Sequence, residues 1–142
     1  MLVNLKEIVA PAYEGHYAVG SFNCYSYETF RGCIAAGEET ETPVIAAFGA
    51  AYLANMSLDT AHAIVAALAQ ETEIPVCLHL DHCSDLDIIQ RAIAAGFGSV
   101  MYDGSALPFA ENVANTRAVC RAAHACGVSV EAELGSLAVG VD

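Results

Sequence analysis

Four consecutive residues, His79-Leu80-Asp81-His82, bring two imidazoles and a carboxylate to the end of the apolar run that begins at Ile74. An imidazole in that setting can hold a metal ion, and a carboxylate beside it can move a proton. The same residues at a strand end can also do no more than cap it and bond neighbouring backbone. Further polar or small residues close other apolar runs: Ser21-Phe22-Asn23, Gly49, Asp103-Gly104-Ser105 and Glu131-Ala132-Glu133. A lone Asn or Asp after a strand is ordinarily a turn or a helix cap. Several on one face form the kind of rim where α/β folds build their chemistry. Glu131 and Glu133 are two apart and share a side within one strand. One would point into the top of the sheet, and the other would orient it or pair with a neighbour. Two buried acids in an acidic chain need a cation or a shared proton. With Asp103 close by, a metal is the simplest resolution.

The elements that must position these residues follow one rhythm: a short β-branched run, a turn, then an Ala-rich stretch of helical length. Strands are expected at 17–22, 43–48, 75–80, 98–102 and 128–134, with helices at about 26–40, 57–71, 85–95 and 109–126. Ser84 has the character of an N-cap, Pro108 can begin the last helix, and Gly96 and Gly127 sit where helix C-terminal glycines belong. Strands apolar on both faces and alternating with helices indicate a parallel sheet of βα units. Five units in 142 residues give about 28 residues each, and an eight-unit barrel typically takes about 250. The chain therefore reads as five-eighths of a barrel, closing on a loop-like segment, 135–142. A complete five-stranded open sheet is the alternative, with its strand order reversing at a ligand-binding switch point. Composition leaves the two balanced. Either way, residues 1–142 are expected to form a single domain.

A formal charge of −12, from 17 acids and 5 bases, argues against nucleic acid or an anionic membrane as partner. The bases, Lys6, Arg31, Arg91, Arg117 and Arg121, do not cluster, so an anionic substrate would need a metal, helix N-termini or further chain. No apolar run reaches the roughly 20 residues that span a bilayer. The opening Met1-Leu-Val-Asn-Leu-Lys-Glu is charged before any apolar stretch builds up, unlike a secretory signal. A soluble, cytoplasmic protein is expected. The six cysteines (24, 33, 77, 83, 120 and 126) contain no C-x-x-C pair, and reduced core thiols are the expected reading.

Four segments carry a family resemblance: Pro75-Val-Cys-Leu-His-Leu-Asp-His82, Ala95-Gly-Phe-Gly-Ser-Val-Met-Tyr-Asp-Gly-Ser105, Leu107-Pro-Phe-Ala-Glu-Asn-Val113 and Gly127-Val-Ser-Val-Glu-Ala-Glu-Leu-Gly135. In order and spacing they resemble the class II, zinc-dependent ketose-bisphosphate aldolases, and the likeness runs from Val3 to the last residue. It implies an α/β TIM (β/α)8 barrel with about five βα units present, the N-terminal portion of an incomplete barrel. It further implies reversible cleavage of fructose or tagatose 1,6-bisphosphate to dihydroxyacetone phosphate and glyceraldehyde 3-phosphate, a lyase step of glycolytic carbohydrate metabolism. A catalytic Zn2+, a second divalent metal, a phosphorylated ketose substrate and a homo-oligomer come with the family.

By the same resemblance, His82 would be a ligand of the catalytic zinc. Asp81 would move the proton of the hydroxyl beside the breaking carbon–carbon bond. Asp103 and Glu133 would serve a second or alternative metal position, with Glu131 behind them. A Lewis acid then polarises the ketone while the aspartate handles the proton. No strand-end residue is a lysine, which argues against the Schiff-base class of aldolase. His79 would be a satisfied interior histidine, and Asn23 an active-site-edge residue or a turn.

Three departures stand out. Cys83 occupies the place of a common glycine, either filling space or bringing a thiol near zinc. Phe48-Gly49-Ala50 stands where many relatives carry a phosphate-contacting serine. The family's two remaining zinc histidines and Gly-rich phosphate loops lie beyond these residues, and one histidine does not make a catalytic zinc site with three protein ligands. Two further readings follow. The chain could be an inactive half-barrel acting as an assembly module through unpaired first and fifth strands, or a related barrel aldolase for another ketose.

Overall fold

The structure, a computed structural model, describes residues 1–135. The expected closing loop lies outside the described residues beyond Gly135. Val44–Gly49 is buried at every position, as a strand covered on both faces requires. It forms β2, flanked by β1 (Ser21–Asn23) and β3 (Val76–Cys83), with β4 (Ser99–Tyr102) and β5 (Ser129–Ala132) beyond. All neighbours pair in parallel, in the order β1-β2-β3-β4-β5. That sequential winding is the barrel pattern, and the strand reversal of an open doubly wound sheet is not found among the described residues.

Helices α2 (Tyr27–Thr40), α3 (Leu58–Gln70), α4 (Leu86–Ala95) and α5 (Phe109–Ala125) connect the strands, close to expectation. The cap of α4 differs from the sequence reading. Asp85, not Ser84, accepts from the backbone of Asp87 and Ile88, because its carboxylate satisfies two first-turn donors at once. Gly96 closes α4 in the left-handed region, as expected. Two elements were not expected: a 3-10 turn at Ala50–Ala54 and an N-terminal helix, α1 (Leu5–Gly15). Pro11 lies inside α1, and a proline inside a helical pattern reads as a break. The signal that outweighs it is Asn4-x-x-Glu7, which forms a reciprocal capping box.

Side-chain alternation divides the sheet into two faces. Val44, Ala46, Phe48, Val76, Leu78, Leu80, Val100 and Tyr102 join the helices in the main core. Ile45 and Cys77 face the other way and pack on Ile8 of α1. α1 crosses the strand starts, where Lys6 N–H donates to Ser129 Oγ and Asn4 Nδ2 to the Gly127 carbonyl. Gly98 permits this approach, since a Cβ there would meet the Val3 carbonyl at 2.5 Å. The six cysteines are free, as expected, but only Cys24, Cys77 and Cys83 are buried and Cys126 is exposed. Among the described residues, the outer edges of β1 and β5 carry no paired strand.

Candidate metal and proton-transfer site

β3 is the longest strand and runs three residues beyond the expected 75–80. Leu80 pairs with Val100 and Cys83 with Tyr102, so three steps along β3 match two along β4. The surplus residue forms a bulge, and His82 within it takes a φ of +44°. That left-handed backbone costs a non-glycine residue about 1–2 kcal/mol. It buys a local change of direction: a regular strand would send Asp81 and His82 to opposite faces.

His82 Nδ1 lies 3.0 Å from Asp103 Oδ2, just past β4, and 3.8 Å from Glu133 Oε2, just past β5. One ligand atom from each of the three lies within 4.8 Å of the others. The Asp103 hydrogen bond, together with the surrounding carboxylates, raises the His82 pKa above its ordinary value. Asp103 is held below the usual carboxylate range, first by Ser105 and then by His82. Its Oδ1 accepts from the Ser105 hydroxyl at 2.6 Å and the Ser105 N–H at 3.1 Å, which leaves Oδ2 for His82.

Glu133 is held from behind. Asn112 of α5, 4% exposed, donates through Nδ2 to the Glu133 carbonyl at 2.8 Å and accepts from the Thr116 hydroxyl at 3.2 Å. Gly104 makes room for it, since a Cβ there would sit 2.4 Å from Asn112 Oδ1. The sequence carried Asn112 only as part of a family segment. No spacing rule marks a helix residue that supports another strand's end.

One layer lower, His79 bonds through Nδ1 to Ser99 Oγ at 2.9 Å, while its Nε2 has no hydrogen-bond partner. Asp81 Oδ1 lies 3.8 Å and Glu131 Oε2 3.4 Å from that nitrogen. His79 is thus interior, as expected, but only half satisfied. Burial pulls its pKa down to about 4. Burial, reinforced by Asp81, pushes Glu131 up. Glu131 and Glu133 therefore diverge, one toward His79 and the other toward His82. Asn23 ends β1 opposite Ala47 and is exposed. Cys83 lies in the helix-side core and donates to the Asp85 carbonyl, away from the carboxylates.

One imidazole nitrogen and two carboxylate oxygens at this spacing are a donor set of zinc-binding type. A single divalent ion can be reached by all three with small side-chain movement. Such an ion would exchange the His82–Asp103 bond for two coordination bonds. The set alone leaves at least one ligand position to be filled.

Comparison with known proteins identifies the family and the fold. The family model for class-II fructose-bisphosphate aldolase matches residues 3–142. A fructose-bisphosphate aldolase of Geobacillus stearothermophilus is 46% identical over 139 residues, covering 94% of this chain and 48% of that protein. A 6-phospho-5-dehydro-2-deoxy-D-gluconate aldolase of Bacillus licheniformis is 43% identical over 138 residues, with 95% and 47% coverage. Among solved structures, the YdjI aldolase of Escherichia coli K12 superposes with a TM-score of 0.89 at 36% identity, covering 95% of this chain and 51% of that one. The chain spans about half the length of the curated relatives it matches. Sequential parallel strands, the polar cluster at their C-terminal ends and the match from residue 3 onward agree: this chain belongs to the class II fructose-bisphosphate aldolase family.

Proposed function

We propose that this chain supplies one side of a zinc-dependent aldolase site. The observation that carries the reading is the His82–Asp103–Glu133 donor cluster beside Asp81 at the C-terminal strand ends. His82, Asp103 and Glu133 would hold the metal, with a second divalent position available to the two carboxylates. A bound zinc supplies a Lewis acid that polarises the substrate ketone. Asp81 takes the proton of the hydroxyl on one side of the breaking carbon–carbon bond. As that hydroxyl becomes a carbonyl, the bonding electron pair passes to the ketone fragment. In the synthetic direction Asp81 returns the proton. The remaining ligands and the phosphate sites come from a further segment or subunit.

The substrate is a phosphorylated ketose, with fructose or tagatose 1,6-bisphosphate the first candidates. Products would be dihydroxyacetone phosphate and glyceraldehyde 3-phosphate. Phe48-Gly49-Ala50 and the relative named as a 6-phospho-5-dehydro-2-deoxy-D-gluconate aldolase keep another ketose as the alternative. The experiment is cleavage of both bisphosphates by the zinc-loaded protein, repeated after chelation. Chelator-sensitive cleavage supports the reading; cleavage that survives chelation sinks it.

A second reading rests on the open sheet edges. β1 is exposed along its length, and Phe22 within it is 52% exposed. Such edges invite strand pairing, so assembly with another copy or segment is proposed alongside catalysis. Sedimentation of the 142-residue chain over a range of concentrations tests it, and a concentration-independent monomer counts against it. No helix among the described residues is long and apolar enough to cross a membrane, which fits the proposal of a cytoplasmic enzyme.

A further inference from the structure

Buried polar atoms in folded proteins nearly always have a partner, and each exception calls for a reason. Among the side chains of the described residues the exception is His79 Nε2. Its side chain is 3% exposed, and Nε2 faces Glu131 Oε2 at 3.4 Å and Asp81 Oδ1 at 3.8 Å. On the opposite side of the ring, Nδ1 lies 2.9 Å from Ser99 Oγ, itself fully buried.

Two neutral tautomers are possible, and electrostatics separates them. With the proton on Nδ1, the Nε2 lone pair would face two carboxylates, leaving three acceptors together without a donor. With the proton on Nε2, one N–H faces both carboxylates. The Ser99 hydroxyl rotates freely and donates to Nδ1. We infer that His79 is a positioning residue for Asp81, held by Ser99 in its Nε2–H form and sharing that hydrogen between the Asp81 and Glu131 carboxylates.

The inference deepens the aldolase reading and rests on it for the role of Asp81. A proton-transferring carboxylate needs a fixed direction and one free oxygen. A neutral N–H donor provides the first while leaving the second open. It also separates Asp81 from Glu131, whose negative charge would otherwise push the carboxylate out of line. The contacts are longer than good hydrogen bonds, as is common before substrate arrives and the site tightens. Ser99 and His79 lie opposite one another in β3 and β4, so the sheet register itself fixes the tautomer.

Long-range proton–nitrogen NMR correlations on the protein read the tautomer directly. A proton on Nε2 is expected, and a proton on Nδ1 overturns the inference. Kinetics of the zinc-loaded protein provide the second arm. His79→Leu is expected to lower kcat about 10–100-fold, with KM and bound zinc unchanged. His79→Gln, whose amide can place a donor where Nε2 stood, should recover about tenfold or most of that loss. Equal losses in the two variants, an unchanged kcat in His79→Leu, or zinc lost in step with kcat would each overturn it. Should His79→Leu fail to fold, Ser99→Ala replaces it: a mixed tautomer and a severalfold lower kcat are expected, and no change in either contradicts the inference. A wild-type protein completed by that further segment or subunit and still without zinc-dependent turnover is a separate failure, that of the aldolase reading. The tautomer then still decides whether His79 holds the two carboxylates as described.

Discussion

His82 Nδ1 lies 3.0 Å from Asp103 Oδ2, and this bond bridges β3 to the end of β4 because β3 carries one surplus residue. The bond has a measurable consequence for the metal-free protein. Asp103 stabilises the imidazolium, so His82 keeps its proton to a higher pH than an ordinary histidine. The associated stability is fully present below the ordinary imidazole range and is lost as pH rises through the raised pKa. Asp103→Asn should return the His82 titration toward its ordinary value, read by NMR of the ring protons. An unmoved titration would mean that the bond is not formed in solution.

Asn112 and Gly104 fit together so closely that changing either should disturb Glu133. Asn112→Ala leaves the Glu133 carbonyl without its donor and should cost about 1–3 kcal/mol. Gly104→Ala forces a Cβ against Asn112 and should cost about 1–3 kcal/mol by overpacking. Chemical denaturation measures both, and calorimetric zinc titration should show weaker binding in each variant. Unchanged stability in both would mean that the amide does not hold the strand end.

Burial keeps His79 neutral in the folded protein, with its pKa near 4. The unfolded chain binds that proton near the ordinary value, so between about pH 6.5 and 4 the unfolded state carries more protons. Stability is therefore lost as pH falls through this window, by up to about 1.4 kcal/mol per pH unit from this one group. Denaturation midpoints across the window should fall more steeply in wild type than in His79→Leu. Equal slopes would place the titrating group elsewhere.

Much of the architecture was legible because burial on both faces leaves a plain signal. β2 and β4 are short, apolar and bounded by turn residues, and they stand within a residue of expectation. α1 was missed because Pro11 reads as a break, while its capping box lies in an unremarkable Asn-x-x-Glu. The end of β3 was missed for a different reason: a bulge is set by register against the next strand, which a single strand's pattern does not contain. The expected residues His82, Asp103 and Glu133 do meet, since each closes a neighbouring parallel strand. The support from Asn112 and the unpartnered nitrogen of His79 depend on distances between elements, to which residue spacing is blind.

The most direct test is retro-aldol turnover of fructose 1,6-bisphosphate by the zinc-loaded protein, beside Asp81→Ala and a chelated control. Turnover should vanish with chelator and fall about 10²–10⁴-fold in Asp81→Ala, with bound zinc unchanged. Turnover that survives chelation, or that Asp81→Ala leaves intact, would contradict a metal and an aspartate acting together at this site.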